Sequence, residues 1–375
     1  MSTSFTQLYK PNKDELSRQA FVGALKKCVN GQMEQQIHAL YQEKLLPEYL
    51  ELHGKPPESR AEAKSLFEKE HLFQLWGSAV YTSQDLLWET VGDTVDRVLE
   101  TIEQKASEID ASDNKLGSLS LNPELELPEP IGSTEIHRQP GGYFFDSENN
   151  GLTSPLLYYG TIQLYTAAKG FSTDKNKDTF AGHAMAQMIK QRFPDTKPAR
   201  ILDIGCGIGA LTRGLKEFWP EAEVHGLDLS GPFMRCAHMM AEDSQLGIHF
   251  HQLDAANTGL EDNSFDLIVS QILFHETWDE KLVEIMQEVK RLLSAGGVFF
   301  NIDVPYQPDR INIPSQVTND WQVINNGEPF WTGFVDTDID AALDKAGFTT
   351  DERFTDYQAA GGNNSYFLFG AQAAS

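Results

Sequence analysis

From Ala199 onward, short apolar runs alternate with helical stretches, and this rhythm constrains the 375-residue chain more than any other feature. The runs are "RILDIG", "EVHGLDL", "IHFHQLD", "FDLIVSQ" and "GVFFNIDV", with helical periods between them over 211–219, 232–243 and 281–293. Strands separated by helices specify an α/β fold with a doubly wound, mostly parallel sheet. The tail departs from that rhythm. A helical "DTDIDAALDKAG" leads into "FTTDERFTD", then "GGNN", then "SYFLFGAQA". Two runs joined across glycines predict an antiparallel strand pair that closes a seven-stranded sheet.

The N-terminal part reads differently. Over residues 14–108 the pattern is helical, with Leu16, Ala20, Phe21, Ala24, Leu25, Cys28 and Val29 at the spacing of one helix face. "HGKPPESRAEA" interrupts it, and Ser59 is placed to cap the helix that follows. A long run then carries Trp76, Leu87, Val91, Val95, Val98 and Ile102, with Trp76 and Trp88 expected in the core. "SLSLNPELELPEPIGSTEIHRQPGG" has no period and reads as a linker. An aromatic-rich stretch and a helix over 179–193 come next. The expected organisation is an all-helical N-terminal domain over 1–110, a linker over 111–142, and a Rossmann-like domain over 143–375.

Composition narrows the function classes. The formal net charge is −25, a field that repels nucleic-acid backbones and anionic membranes. Three cysteines in no paired spacing argue against a disulfide framework. The start lacks a signal-peptide pattern and no run approaches membrane-spanning length, so a cytoplasmic protein without nucleic-acid or membrane partners is expected. His137, His225, His249 and His251 fall on different elements without a paired carboxylate motif, and no metal site is expected.

The stretch "ARILDIGCGIGALTRGL" places Gly205, Gly207 and Gly209 directly after the first strand. Glycines there let a ligand lie against the backbone, beyond the carboxyl ends of the strands. The loop also satisfies the relaxed dinucleotide pattern, which leaves a dehydrogenase as an alternative. Asp203, inside the strand, argues against it: a pyrophosphate gains nothing from an added negative charge, whereas an ammonium or sulfonium does. Asp254 ends the third strand as a further acid, and the antiparallel ending is foreign to a plain Rossmann domain.

Residues from about 199 to 297 resemble the class I S-adenosylmethionine-dependent methyltransferases. "ILDIGCGIG" is similar to the first motif of that family and "GLDLSGPFMRCA" to its second. "LDAANTGLEDNSFDLIVSQILFHE" resembles the third and fourth, and "EVKRLLSAGGVFF" the stretch before the fifth strand. Ala295 stands where a proline is usual. The resemblance implies S-adenosyl-L-methionine as cofactor and a role for each matched residue. Gly205, Gly207 and Gly209 would admit its methionyl and ribose part, and Asp203 would orient its amino group. Asp228 would accept from the ribose hydroxyls, with Leu229 packed on adenine. Asp254 would accept from the adenine amino group, the Ala255 backbone would meet the ring edge, and Gln271 would face the sulfonium.

Methyl transfer is an in-line displacement in which alignment supplies most of the acceleration, and a base is optional. His275, in "QILFHETW" after the fourth strand, is the candidate base. Its alternative is a packed residue at a helix start. Tyr158 and Tyr159 are the candidate substrate-side aromatics. "ILFHE" is not the Asn/Asp-Pro-Pro-aromatic motif of nucleobase and amide methylation. The expectation is a small-metabolite methyl acceptor modified at oxygen, with nitrogen or sulfur as alternatives. A cofactor-binding protein without transfer is the remaining class. The N-terminal helices are expected to form a lid, a homodimer surface, or both.

Overall fold

A computed structural model describes residues 3–129, 131–145, 150–168, 179–304, 308–361 and 364–374. Its sheet has eight strands among these residues: β1 (Ser118–Ser120), β2 (Arg200–Ile204), β3 (Glu223–Asp228), β4 (His249–Gln252), β5 (Phe265–Gln271), β6 (Leu293–Asp303), β7 (Arg353–Gly361) and β8 (Asn364–Gln372). Their spatial order is β1-β4-β3-β2-β5-β6-β8-β7. The five expected parallel strands and the antiparallel pair are all present, but seven is one too few. The additional strand, β1, pairs parallel with β4 from within the presumed linker. Three residues are too short to show a period, so nothing in the sequence marks it. The β7–β8 hairpin pairs antiparallel with β6, and Gly362 and Asn363 of its expected "GGNN" turn lie outside the described residues.

The parallel strands read as continuous apolar runs because helices cover both faces. In β5, Phe265, Leu267, Ile268, Val269 and Ser270 are all buried. Chain direction across the sheet reverses at β2, which pairs with β3 on one side and β5 on the other. A crevice opens beyond the carboxyl ends of strands at such a switch point.

We number the main helices α1 (Lys13–Lys27), α2 (His71–Asp110), α3 (Thr153–Ala168), α4 (Phe180–Arg192), α5 (Ala210–Phe218), α6 (Gly231–Asp243), α7 (Asp279–Leu292) and α8 (Ile313–Asn326). With 40 residues, α2 is about 60 Å long and runs through two cores. Its first half packs Phe73, Trp76 and Val80 with Val29, Ile37 and Phe67 of the N-terminal helices and Val317 of α8. Its second half packs Trp88, Val91, Val95 and Ile102 in one cluster with Met185, Leu211, Phe233 and Val269 of the sheet layer. The helical region and the sheet therefore share a core. Ser59 caps its helix as expected, accepting from Glu62 N at 3.2 Å.

The expected face of α1 is incorrect. Leu16 and Phe21 are 51% and 65% exposed, while Glu15, Gln19, Val22 and Lys26 are buried. Polar partners on α2 explain the register. Glu15 forms a two-pronged pair with Arg97 at 2.7 Å, Gln19 reaches Thr94, and Lys26 donates to Gln84. No helix among the described residues is long and apolar enough to cross a membrane.

Candidate active site

The cleft beyond β2, β3 and β5 encloses about 920 Å³ of empty space, its open mouth included. The glycine loop forms its floor. All three glycines take left-handed φ, 65° at Gly205, 53° at Gly207 and 70° at Gly209. Their surroundings differ. A β-carbon on Gly205 would lie 2.6 Å from Leu273 Cδ1, and one on Gly209 3.0 Å from Phe250 Cζ. Above Gly207 the nearest atom is 4.0 Å away. Gly205 and Gly209 are thus required by packing as well as by backbone shape, whereas Gly207 faces open space.

Two of the three strand-end acids line the cleft. Asp228 accepts from Gly207 N through Oδ2 and from Ser230 N through Oδ1, both at 3.0 Å. Burial pushes its carboxyl above the usual range, against these backbone hydrogen bonds. Asp254 accepts from Ala256 N at 2.8 Å and faces Lys281 Nζ at 3.3 Å. Leu229 and Ala255 line the same space.

Asp203 lies beneath the loop instead. It is 1% exposed, and its Oδ2 accepts from Thr212 Oγ1 at 2.6 Å while Oδ1 is buried without a partner. Burial raises its carboxyl to about 7, with Thr212 opposing and the Asp228 charge adding. Gln271 ends β5, and the next residue, Ile272, holds φ 58° on the cleft wall. A β-branched residue in that region carries strain, a feature that concentrates at functional sites.

Of the aromatic candidates, Tyr158 lines the cleft, forming an edge-packed corner with Tyr143 and Phe233 at centroid distances of 6.0 and 5.3 Å. Tyr159 does not. It points away from the cleft lining and packs edge-on against Phe5 and Tyr9, each at 4.9 Å, so its substrate-side placement is incorrect.

His275 also differs from expectation. It is 2% exposed and absent from the described cleft lining. Its Nδ1 pairs with Asp303 Oδ1 at 2.7 Å, and its Nε2 faces Glu276 Oε1 at 3.5 Å. Burial lowers its pKa, but Asp303 and Glu276 outweigh burial and raise it. Asp303 also accepts from Phe274 N and Val304 N, which locks the turn after β5. That buried position removes direct contact with an acceptor. The neighbour of His275, Glu276, lies on the cleft wall.

Sequence reasoning missed the other wall entirely. The segment around Ile136–Arg138 crosses the cleft as a strap, and His137 sits between Glu276, 2.8 Å from Nε2, and Glu328, 2.5 Å from Nδ1. The expectation of a histidine without paired carboxylates is therefore corrected. Burial opposes protonation, yet the two carboxylates raise His137 well above its ordinary value. Both ring nitrogens are engaged, which makes the cluster an imidazolium bridge. The strap is pinned elsewhere too: His137 N donates to Gly327 O, and its carbonyl accepts from Gln84 and Trp88. No local pattern in the sequence marked this wall, because the partners of His137 are distant in the chain.

Residues 201–297 match a family model described as a methyltransferase domain. A malonyl-[acyl-carrier protein] O-methyltransferase of Bacillus cereus is 26% identical over 132 residues, covering 35% of this chain and 47% of the relative. A demethylmenaquinone methyltransferase of Thermus thermophilus is 33% identical over 111 residues, covering 30% and 50% respectively. The chain spans about half the length of the curated relatives it matches. Among solved structures, phosphoethanolamine N-methyltransferase 2 of Haemonchus contortus in complex with S-adenosyl-L-methionine shows 16% identity. That match covers 51% of this chain and 52% of the other at a TM-score of 0.40, too loose to bear on function. The sheet, its glycine loop and the family match together define residues 201–297 as a methyltransferase domain of class I.

Proposed function

We propose that the protein is an S-adenosylmethionine-dependent methyltransferase acting on a small molecule, at an oxygen atom. The observation that carries the reading is the open space above Gly207, flanked by Asp228 and Asp254 on one cleft. A further fit is the orphaned Oδ1 of Asp203, a buried acceptor beneath the loop that suits a cationic donor. The family match supports the activity, and the Bacillus cereus relative, an O-methyltransferase by name, supports oxygen as the acceptor atom.

Bound in this cleft, the cofactor would supply a methyl carbon made electrophilic by its sulfonium. The chain's own residues bind and orient. Asp228, already accepting two backbone hydrogen bonds, would hold the ribose hydroxyls, and Leu229 would pack on adenine. Asp254 and the Ala255 backbone would meet the ring edge, Asp203 would attract the amino group, and Gln271, at the end of β5, would face the sulfonium. Tyr158 and Tyr143 wall the acceptor side and help exclude water. Alignment of this kind contributes about 7–11 kcal/mol to a displacement. Incubation with methyl-labelled S-adenosylmethionine and the small-molecule fraction of a cell extract tests the reading. Label should move to a small product, and label remaining on the cofactor would oppose transfer.

A further inference from the structure

Glu276 presents its two oxygens unequally. Oε1 collects the protein's contacts, with His137 Nε2 at 2.8 Å and with His275 Nε2 and Tyr143 Oη each at 3.5 Å. Oε2 is buried and has no partner. An ionised carboxylate oxygen left so is costly, by about 1–3 kcal/mol or more, unless a donor reaches it. His137 holds the carboxylate from the strap and His275, itself held by Asp303, from behind, while Glu276 lies on the described lining of the cleft.

We infer that Glu276 is the catalytic proton acceptor, and that the methyl acceptor is a neutral compound bearing a hydroxyl. This inference rests on the methyltransferase reading above. The acceptor O–H bond breaks and its proton passes to Glu276 Oε2. The oxygen electron pair forms the bond to the methyl carbon. The carbon–sulfur bond breaks with its pair on sulfur, leaving the neutral thioether. No further reactant is needed.

Charge on the cleft wall supports the substrate class. Asp228, Asp254 and Glu276 are on the described lining, and its two cationic groups are already engaged: His137 by two glutamates and Lys281 by Asp254 and Glu284. With Asp228 and Asp254 given to the cofactor, a carboxylate or phosphate acceptor would face Glu276 without an unengaged cation on the described lining. Tyr143, Tyr158 and Phe233 offer apolar faces to the body of an uncharged molecule. His275 is a positioning residue in this scheme, since it reaches the acceptor only through Glu276.

The test compares wild type, Glu276→Gln and Glu276→Asp. Calorimetric titration with S-adenosylhomocysteine comes first. Failure of the wild type to bind it would overturn the cofactor reading beneath the inference. Glu276→Gln should bind it within about twofold of wild type, yet transfer label from S-adenosylmethionine to extract at least about 100-fold more slowly. Transfer within threefold of wild type would overturn the role of Glu276. If Glu276→Gln does not bind the probe, Glu276→Asp decides. Retained binding with transfer reduced at least tenfold supports the role, and unreduced transfer overturns it. Ion-exchange fractionation of the extract tests the class. Label should enter a compound that neither exchanger retains, and acceptor activity held on the anion exchanger would overturn a neutral substrate.

Discussion

Replacing Asp228 by alanine should separate cofactor binding from folding in measurable terms. The carboxylate ties the glycine loop to the end of β3 through Gly207 N and Ser230 N, each at 3.0 Å, and Asp228 lies on the cleft lining. Hydrogen bonds to a charged group contribute about 1.5–3 kcal/mol each. Loss of two ribose hydroxyl bonds at the lower end amounts to about 3 kcal/mol, or about a 100-fold rise in Kd. Asp228→Asn keeps one acceptor oxygen, so its loss should be nearer tenfold. Calorimetric titration with S-adenosylhomocysteine measures both, alongside thermal unfolding to confirm a folded protein. An Asp228→Ala Kd within threefold of wild type, in a folded variant, would refute the assignment of Asp228 to the ribose.

Three further outcomes follow from neighbouring geometry. Alanine strains the left-handed backbone at Gly207 and Gly209 alike, but Gly209→Ala should lower the melting temperature further because its β-carbon also meets Phe250 and Ala237; thermal unfolding in which Gly207→Ala is the less stable of the two would contradict this. Asp203 ionises as pH rises through about 7, so affinity for a cofactor carrying an ammonium should rise between pH 6 and 8, and Asp203→Asn should flatten that rise; an unchanged profile in the variant would count against it. His137→Gln should destabilise the protein by about 3 kcal/mol at pH 6, because it strands two buried carboxylates. The folded pKa of His137 is raised, so the histidine's contribution is complete below about 6.5 and fades as pH rises through the folded value. The gap in unfolding free energy between wild type and variant should therefore narrow in alkaline buffer, and a constant gap would argue against a charged bridge.

The sheet was legible because parallel strands buried on both faces must be apolar throughout, and helices between them must carry a 3.6-residue period. Strand-end acids followed from topology: Asp228 ends β3 and Asp254 lies two residues beyond the end of neighbouring β4, so they reach one crevice once the order is known. Other parts were hidden for physical reasons. Helix α3 buries Leu156, Leu157 and Tyr159 on more than one side, which erases a polar stripe and its period. Helix α1 buries Glu15, Gln19 and Lys26 against polar partners on α2, so apolar spacing pointed to the wrong face. His137 and Glu328 meet only through the tertiary path of the strap, and no local spacing encodes that contact. His275 was drawn to the acceptor side by its place after β5, but Asp303 holds the ring inward and leaves Glu276 on the wall.

The most direct test of the adenosyl cleft is a wild-type calorimetric titration with S-adenosylhomocysteine, repeated with NADH as competitor. Saturable binding of one S-adenosylhomocysteine per chain, undisturbed by NADH and weakened about 100-fold by Asp228→Ala, is the expected result. No heat with S-adenosylhomocysteine, or its displacement by NADH, would contradict the account.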